Sequence, residues 1–220
     1  MAKNMQDEVA YYYDFHPTEE DLMGEPSVHT DLVHYLAEVL KWLFRGQPRA
    51  VYENLNFYQT VNPKECPLVP DVAVINGVNF RHLRSWRVGT TGPAPQVVLE
   101  VASQGTWDKD LDEKPMKYAL MGVKEYFAYD PNPRPLRRDG RRLFGWQLDK
   151  EKQNMREMPM GPTGRLWSLH LESFLVPETQ LLCLYDSNGH LRLTRAEAME
   201  QRADALAEKL RSLGIDPDQI

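Results

Sequence analysis

Hydrophobic positions in this chain change rhythm several times, and each change marks an element. Between about 28 and 45, Leu32, Leu36, Val39, Leu40 and Leu43 recur at helical spacing, which predicts an amphipathic helix capped by Ser27 and stopped by Gly46-Gln47-Pro48. The pattern then turns to strands. Val51 to Gln59, Val69 to Ile75 and Val97 to Ala102 carry the β-branched and aromatic residues that favour a pleated surface. Residues 76–95 form a Gly- and Pro-containing excursion between the last two. A second helix is expected over 112–121, followed by an aromatic strand at 125–129 that runs into Asp130-Pro131. The order is α-β-β-β-α-β.

Outside this core, residues 1–24 read as an irregular lead bearing Tyr11-Tyr12-Tyr13, from which no function follows. Arg142 to Leu148, Trp167 to Leu175 and Gln180 to Tyr185 predict further strands, expected to enlarge the core sheet, with turns at Gly161–Gly164 and Asp186–Gly189. Thr194 to Leu213 predicts a charged helix ended by Gly214 and Pro217. Its Ala203, Leu206, Leu210 and Leu213 alternate spacings of three and four, as in a short coiled-coil seam, and packing against its own domain competes with that reading. The expected layout is therefore a lead over 1–24, an α/β domain over 25–192 and a terminal helix over 193–220.

Two acids interrupt the apolar pattern. Asp71 follows Pro70 at a strand end, and Glu100 lies inside Val97-Val98-Leu99-Glu100-Val101-Ala102. An ionised carboxylate in an apolar environment costs several kcal/mol without a partner, so a divalent cation is one economical companion for the two together. Strand alternation also allows Glu100 to share a wetter face with Val98 and Ala102. Both readings stand at this point.

In the helix after Glu100, Asp110 or Asp112 can cap the start, Pro115 falls in the first turn and Gly122 suits the C-terminal cap. At 3.6 residues per turn Leu111, Lys114, Tyr118 and Met121 share one side. A cation on that stripe can seek the Glu100 carboxylate, or it can snorkel outward and pair with Asp110 four residues earlier.

Taken in order, Pro70-Asp71-Val72, Glu100-Val101 with Ser103, Thr106, Asp110, Lys114, Tyr118, Gly122-Val123 and Glu125-Tyr126 through Asp130-Pro131 resemble the PD-(D/E)XK nuclease superfamily. The closer resemblance is to its Uma-type family of restriction-endonuclease-like proteins, over roughly positions 20 to 150. It implies a restriction-endonuclease-like α/β core with a mixed sheet. It also implies that Asp71 and Glu100 bind Mg²⁺ or Mn²⁺, which positions a water for in-line attack on a DNA phosphodiester and stabilises charge on the phosphate. The superfamily lysine sits two residues after the second acid, where this chain has Ala102. The Uma-type pattern carries its lysine on the following helix, and Lys114 fills that place, to orient the water or stabilise charge. Glu25 and Asp110 are accessory candidates, Glu25 also reading as an exposed turn residue.

Composition sets bounds. The 220 residues, 42% hydrophobic and 10% aromatic, suffice for one full core with appendages. No run of about 18 apolar residues is present to span a membrane, and the N-terminus has no apolar signal core. Two cysteines, Cys66 and Cys183, make neither a zinc cluster nor a disulfide framework, so a reduced cytoplasmic setting is expected. His29 and His34, five apart, miss the facing of a helical metal pair and read as structural or surface residues unless His29 lines the cleft.

A net charge of −6 disfavours strong nonspecific nucleic-acid binding, which depends on clustered cations. Two local basic stretches answer it in part: Arg81, Arg84 and Arg87 with His82 and Trp86, and Arg134, Arg137, Arg138, Arg141 and Arg142. Either can contact phosphates or form a solvated turn. The leading expectation is a metal-dependent endonuclease acting on DNA, paired as a homodimer so that two sites cut both strands. The alternatives are a nuclease-fold binding or assembly module and a phosphatase-like hydrolase of small phosphoesters.

Overall fold

The computed structural model describes residues 27–59, 65–102, 107–132, 139–161, 163–179 and 181–217. The first helix, α1 (Ser27–Leu43), leads into β1 (Arg49–Glu53), β2 (Asn56–Tyr58), β3 (Val72–Asn76), β4 (Ser85–Arg87) and β5 (Val97–Val101). Two short helices, α2 (Trp107–Asp112) and α3 (Lys114–Met121), precede β6 (Glu125–Tyr129). The chain continues through β7 (Leu143–Asp149), β8 (Asn154–Glu157), β9 (Leu166–Ser168), β10 (Ser173–Glu178) and β11 (Leu181–Tyr185) to α4 (Arg195–Ser212).

The main sheet has six strands in the order β1-β3-β5-β6-β7-β8. Only β5 and β6 pair in parallel within it, and the α2–α3 segment makes the crossover that a parallel pair requires. The expected α-β-β-β-α-β order is thus present as α1, β1, β3, β5, the α2–α3 pair and β6, in a mixed α/β sheet.

Strand alternation sorts the core into two faces. Val72, Val74, Val97, Leu99 and Val101 point to one side, under Leu32, Leu36 and Leu40 of α1 and under Leu166, Leu175 and Leu184. Ala73, Ile75, Val98 and Ala102 point to the other, where Tyr52, Trp86, Tyr118, Tyr126 and Trp146 gather. Each fully buried leucine in the first cluster contributes about 1.5–3 kcal/mol through removal from water, and truncation of Leu36 to alanine would cost about 2–5 kcal/mol.

Several expected boundaries move. The strand anticipated over Val51 to Gln59 is two, because Asn54 takes a left-handed φ of 48° and turns β2 out of the sheet to pair in parallel with β4. Trp86 of β4 is wholly buried there, and Gly92 admits its ring: a Cβ on Gly92 would lie 2.3 Å from the indole. Ser27, expected as a cap, is the first helical residue. The helix expected over 112–121 breaks at Glu113, which takes the N-cap place of α3 without a side-chain cap bond, so neither Asp110 nor Asp112 caps it. Gly122 does close α3, at φ 90° in the left-handed region, as anticipated.

The C-terminal strands divide as well. β7 and β8 enlarge the main sheet, whereas β9, β10 and β11 form a separate three-stranded sheet over the α1 face. The reason is polarity of pattern: Leu175, Leu182 and Leu184 present one apolar face that buries best against α1 rather than at a sheet edge. The last helix, α4, is closed at its start by a capping box between Thr194 and Glu197, and none of its residues is buried. Packing of the seam into its own domain is therefore not what holds this helix.

Candidate functional site

The register of β3 against β5 builds the site. Val72 lies opposite Leu99, so one further step puts Asp71 opposite Glu100, with both side chains on the aromatic face. Asp71 is 7% exposed and Glu100 3%, which removes the wetter-face reading of Glu100. The Val101 N–H donates to Asp71 Oδ2 at 2.6 Å. His29, near the start of α1, brings Nε2 to 3.3 Å from the same oxygen.

The second half of the site comes from the α2–α3 crossover. Asp110, Lys114 and Tyr118 are spaced four apart, and the last two rise over Glu100 from successive turns of α3. Lys114 Nζ lies 3.0 Å from Glu100 Oε1 and 2.7 Å from Asp110 Oδ1. The two partners that the sequence leaves as alternatives are therefore held at once. Tyr118 Oη donates to Glu100 Oε1 at 2.6 Å, and Tyr126 Oη donates to the Asp110 carbonyl at 2.8 Å. The Tyr118 and Tyr126 rings sit 5.0 Å apart between these bonds and fix the crossover against β6.

Burial, opposed by Lys114 and Tyr118 and aided by Asp71 and Asp110, pushes the Glu100 carboxyl up to about 8. Burial works against the charge on Lys114, but Glu100 and Asp110 outweigh it and hold the ammonium well above its usual range. Lys114 is thus shared by Glu100 and Asp110, while Asp71 beside them is held by the Val101 N–H and His29. Hydrogen bonds gather on Asp71 Oδ2 and Glu100 Oε1, leaving Asp71 Oδ1 and Glu100 Oε2 without a hydrogen-bond partner among the described residues. Two carboxylate oxygens on facing residues, neither engaged by a described donor, fit a hard, oxygen-seeking cation. Among the described residues no group of three or more His, Cys, Asp or Glu has the geometry to hold a metal, so water and a phosphate oxygen would have to complete the coordination.

Ala102, in the place of the superfamily lysine, is 3% exposed and shares the face of Glu100. Glu25, Ser103 and Thr106 lie outside the described residues. His29 does line the cleft, which the sequence leaves conditional. Tyr126 carries no prior signal, because an aromatic residue in a buried strand reads as core until its hydroxyl finds a partner. Of the second arginine stretch, Arg142 is spent on the Tyr129 hydroxyl and the carbonyls of Asp130 and Pro131, and Arg141 on Asp139 and Glu157. Arg134, Arg137 and Arg138 lie outside the described residues.

A mixed-sheet α/β core with an acid at the start of β3, an acid within β5 and a lysine on the following helix defines a restriction-endonuclease-like protein. The particular family follows: the model described as "Uma2: Putative restriction endonuclease" matches residues 5–181, and the chain belongs to that family. Among solved structures, "a putative nuclease belonging to DUF820" from Anabaena variabilis ATCC 29413 is similar at 11% identity and a TM-score of 0.47, over 67% of this chain and 75% of that one. No curated protein matches the chain.

Proposed function

We propose that this protein is a metal-dependent endonuclease that hydrolyses DNA phosphodiester bonds, with Asp71 and Glu100 as ligands of Mg²⁺ or Mn²⁺ and Lys114 as the catalytic cation. The observation that carries the reading is Lys114 Nζ at 3.0 Å from Glu100, supplied from α3 although Ala102 occupies the usual lysine place. When bound, the metal would position a water and offset charge on the phosphate. The chain's own residues do the rest. Lys114 orients the attacking water or stabilises the charge that develops as the water oxygen bonds to phosphorus and the bond to the leaving oxygen breaks. Asp110 aims Lys114, Tyr118 fixes Glu100, and the Val101 N–H with His29 fixes Asp71.

The reading extends to a domain over 25–192 in a reduced cytoplasmic setting, and to a homodimer joined through α4. In favour of the dimer, Met199 is 48% exposed, Leu206 56% and Leu213 63%, on the stripe that spacing assigns to a seam. Calorimetry with Mn²⁺, followed by incubation with supercoiled plasmid, tests the activity. Metal binding with nicking is expected. Neither metal binding nor nicking would leave the binding-module reading, and turnover of a small phosphoester without nicking would favour the phosphatase reading.

A further inference from the structure

The first arginine stretch holds one uncommitted cation: Arg81 is bonded to the Thr91 carbonyl and Arg87 lies over the Tyr58 ring, which leaves Arg84. Residues 77–84 leave the end of β3 and fold back over the aromatic face, where Val78 and Leu83 pack against the cluster that contains Tyr52 and Trp86. The tip is pinned twice to Tyr52: its hydroxyl donates to the Arg81 carbonyl at 3.1 Å and accepts from the Arg81 N–H at 3.4 Å. Arg81 Nη2 donates to the Thr91 carbonyl at 3.0 Å, which holds the stretch down from its far side. Phe80 nonetheless stands 53% exposed, its ring 5.2 Å from that of Tyr52 and edge-on to His82 at 5.2 Å. Arg84 is exposed and makes no hydrogen bond or ion pair among the described residues. An apolar ring and a bare cation are thus presented on a backbone that is already ordered.

Register places this tip beside the cleft. Tyr52 lies opposite Ala73, two residues from Asp71 on the same face. At about 3.4 Å per residue and 4.8 Å between strands, the Cα atoms of Tyr52 and Asp71 are about 8 Å apart, so the Phe80 ring, reached through the Tyr52 side chain, stands within about 20 Å of the Asp71 carboxylate. A duplex rises about 3.4 Å per base step, and 20 Å is about six steps. Acids do not cancel the tip. Glu53, which lines the adjoining depression with Phe80 and Arg81, is held by Lys41 at 2.6 Å and His34 at 3.1 Å. In a chain of net charge −6, this loop offers phosphate a local cation.

We infer that the 80–84 loop is a DNA-contacting element flanking the cleft, with Phe80 packing on a deoxyribose and Arg84 on a backbone phosphate. The inference rests on the nuclease reading for its ligand but not on cleavage for its test. Anisotropy of a labelled duplex is measured over a range of KCl in metal-free buffer, where nothing is cut. Arg84→Ala should weaken binding and reduce the slope of log K against log salt by about 0.9, the value of one phosphate contact, and Arg84→Lys should restore the slope. Phe80→Ala should weaken binding about fivefold or more with the slope unchanged, because apolar packing releases no counterions. Both positions are exposed, and unchanged thermal melting checks the fold.

If the parent binds DNA and both alanine variants bind identically with the parent slope, the loop is overturned and the nuclease reading stands. If the parent binds through the loop but cuts nothing in Mg²⁺ or Mn²⁺, the nuclease reading falls and the loop stands. A parent that does not bind DNA at all overturns the loop.

Discussion

Two glutamates lie buried on adjacent strands of one sheet and are used in opposite ways. Glu100, on β5, is 3% exposed, and Glu125, at the start of β6, is 1% exposed. Glu125 accepts from the Ser168 hydroxyl at 2.5 Å and from the N–H groups of Leu169 and His170 at 2.9 and 3.3 Å. Its charge is thus met by neutral donors from the turn between β9 and β10, and it ties the small sheet to the large one. Glu100 instead faces Asp71, Asp110 and Lys114, with Tyr118 as its one neutral donor. Burial alone does not mark a site; the kind of partner does. A carboxylate satisfied by three dipoles is a fastener, whereas one beside two other carboxylates and a lysine has the surroundings on which the proposed cation site rests.

Exchanging the charge at each position should break the pair most sharply at Glu100. Glu100→Gln keeps an acceptor for Tyr118 but removes a ligand, so Mn²⁺ affinity by calorimetry should fall more than about 100-fold, beyond the range typical of residues that only orient ligands. Thermal stability of the metal-free variant should be nearly unchanged at neutral pH, because burial raises the Glu100 carboxyl to about 8 and leaves it mostly protonated there, as the amide is neutral. Asp71→Asn should match it in metal binding. A Glu100→Gln protein that binds Mn²⁺ like the parent would return Glu100 to the class of Glu125.

Next in size is the lysine. Lys114→Ala should lower plasmid nicking by about 10²–10³-fold, the scale of a lost charge-stabilising donor, while largely sparing metal binding. Adding Ala102→Lys should restore part of the activity, held back by about 1–3 kcal/mol of overpacking in a strand position that is 3% exposed. Parent-rate nicking by the single variant would reject the role given to Lys114.

The sequence shows one of these glutamates far better than the other. The ordered series from Asp71 through Lys114 is legible because its chemistry requires fixed residue types on consecutive elements, and α1, β3, β5 and β6 are legible because their apolar periods are long. Glu125 falls in the same matching series, yet nothing near it in sequence announces a tether, since its donors come from Ser168 to His170, more than 40 positions away. The same distance hides the fate of β9 to β11: alternation predicts strands but not which apolar layer they join. His29 stays conditional until α1 is docked, because a histidine in a helix carries no mark of what lies across from it. The break at Glu113 is also silent, for Asp110 is a good cap by type and is drawn off it by Lys114.

The fastener has its own test. Glu125→Ala should leave three donors at the β9–β10 turn without their acceptor and cost roughly 2–4 kcal/mol in denaturant unfolding. Metal affinity and nicking per folded molecule should stay at the parent level. Loss of Mn²⁺ binding at full stability would instead place Glu125 in the site and erase the distinction between the two residues.

The smallest effect on either glutamate is expected from the terminal helix, because no residue of α4 is buried. Truncation of residues 194–220 should convert a dimer to a monomer by light scattering, since Ala203, Leu206, Leu210 and Leu213 supply the seam. Unfolding stability should move by less than about 1 kcal/mol at low protein concentration, where linkage to association is weak. Single-strand nicking per subunit should persist, whereas cutting of both strands in one encounter should fall, as that step needs two sites held together. A truncated protein that remains dimeric rejects the seam, and a full-length protein that is monomeric rejects pairing altogether. Neither result would alter Glu100, whose described partners Lys114 and Tyr118 come from α3 of its own chain.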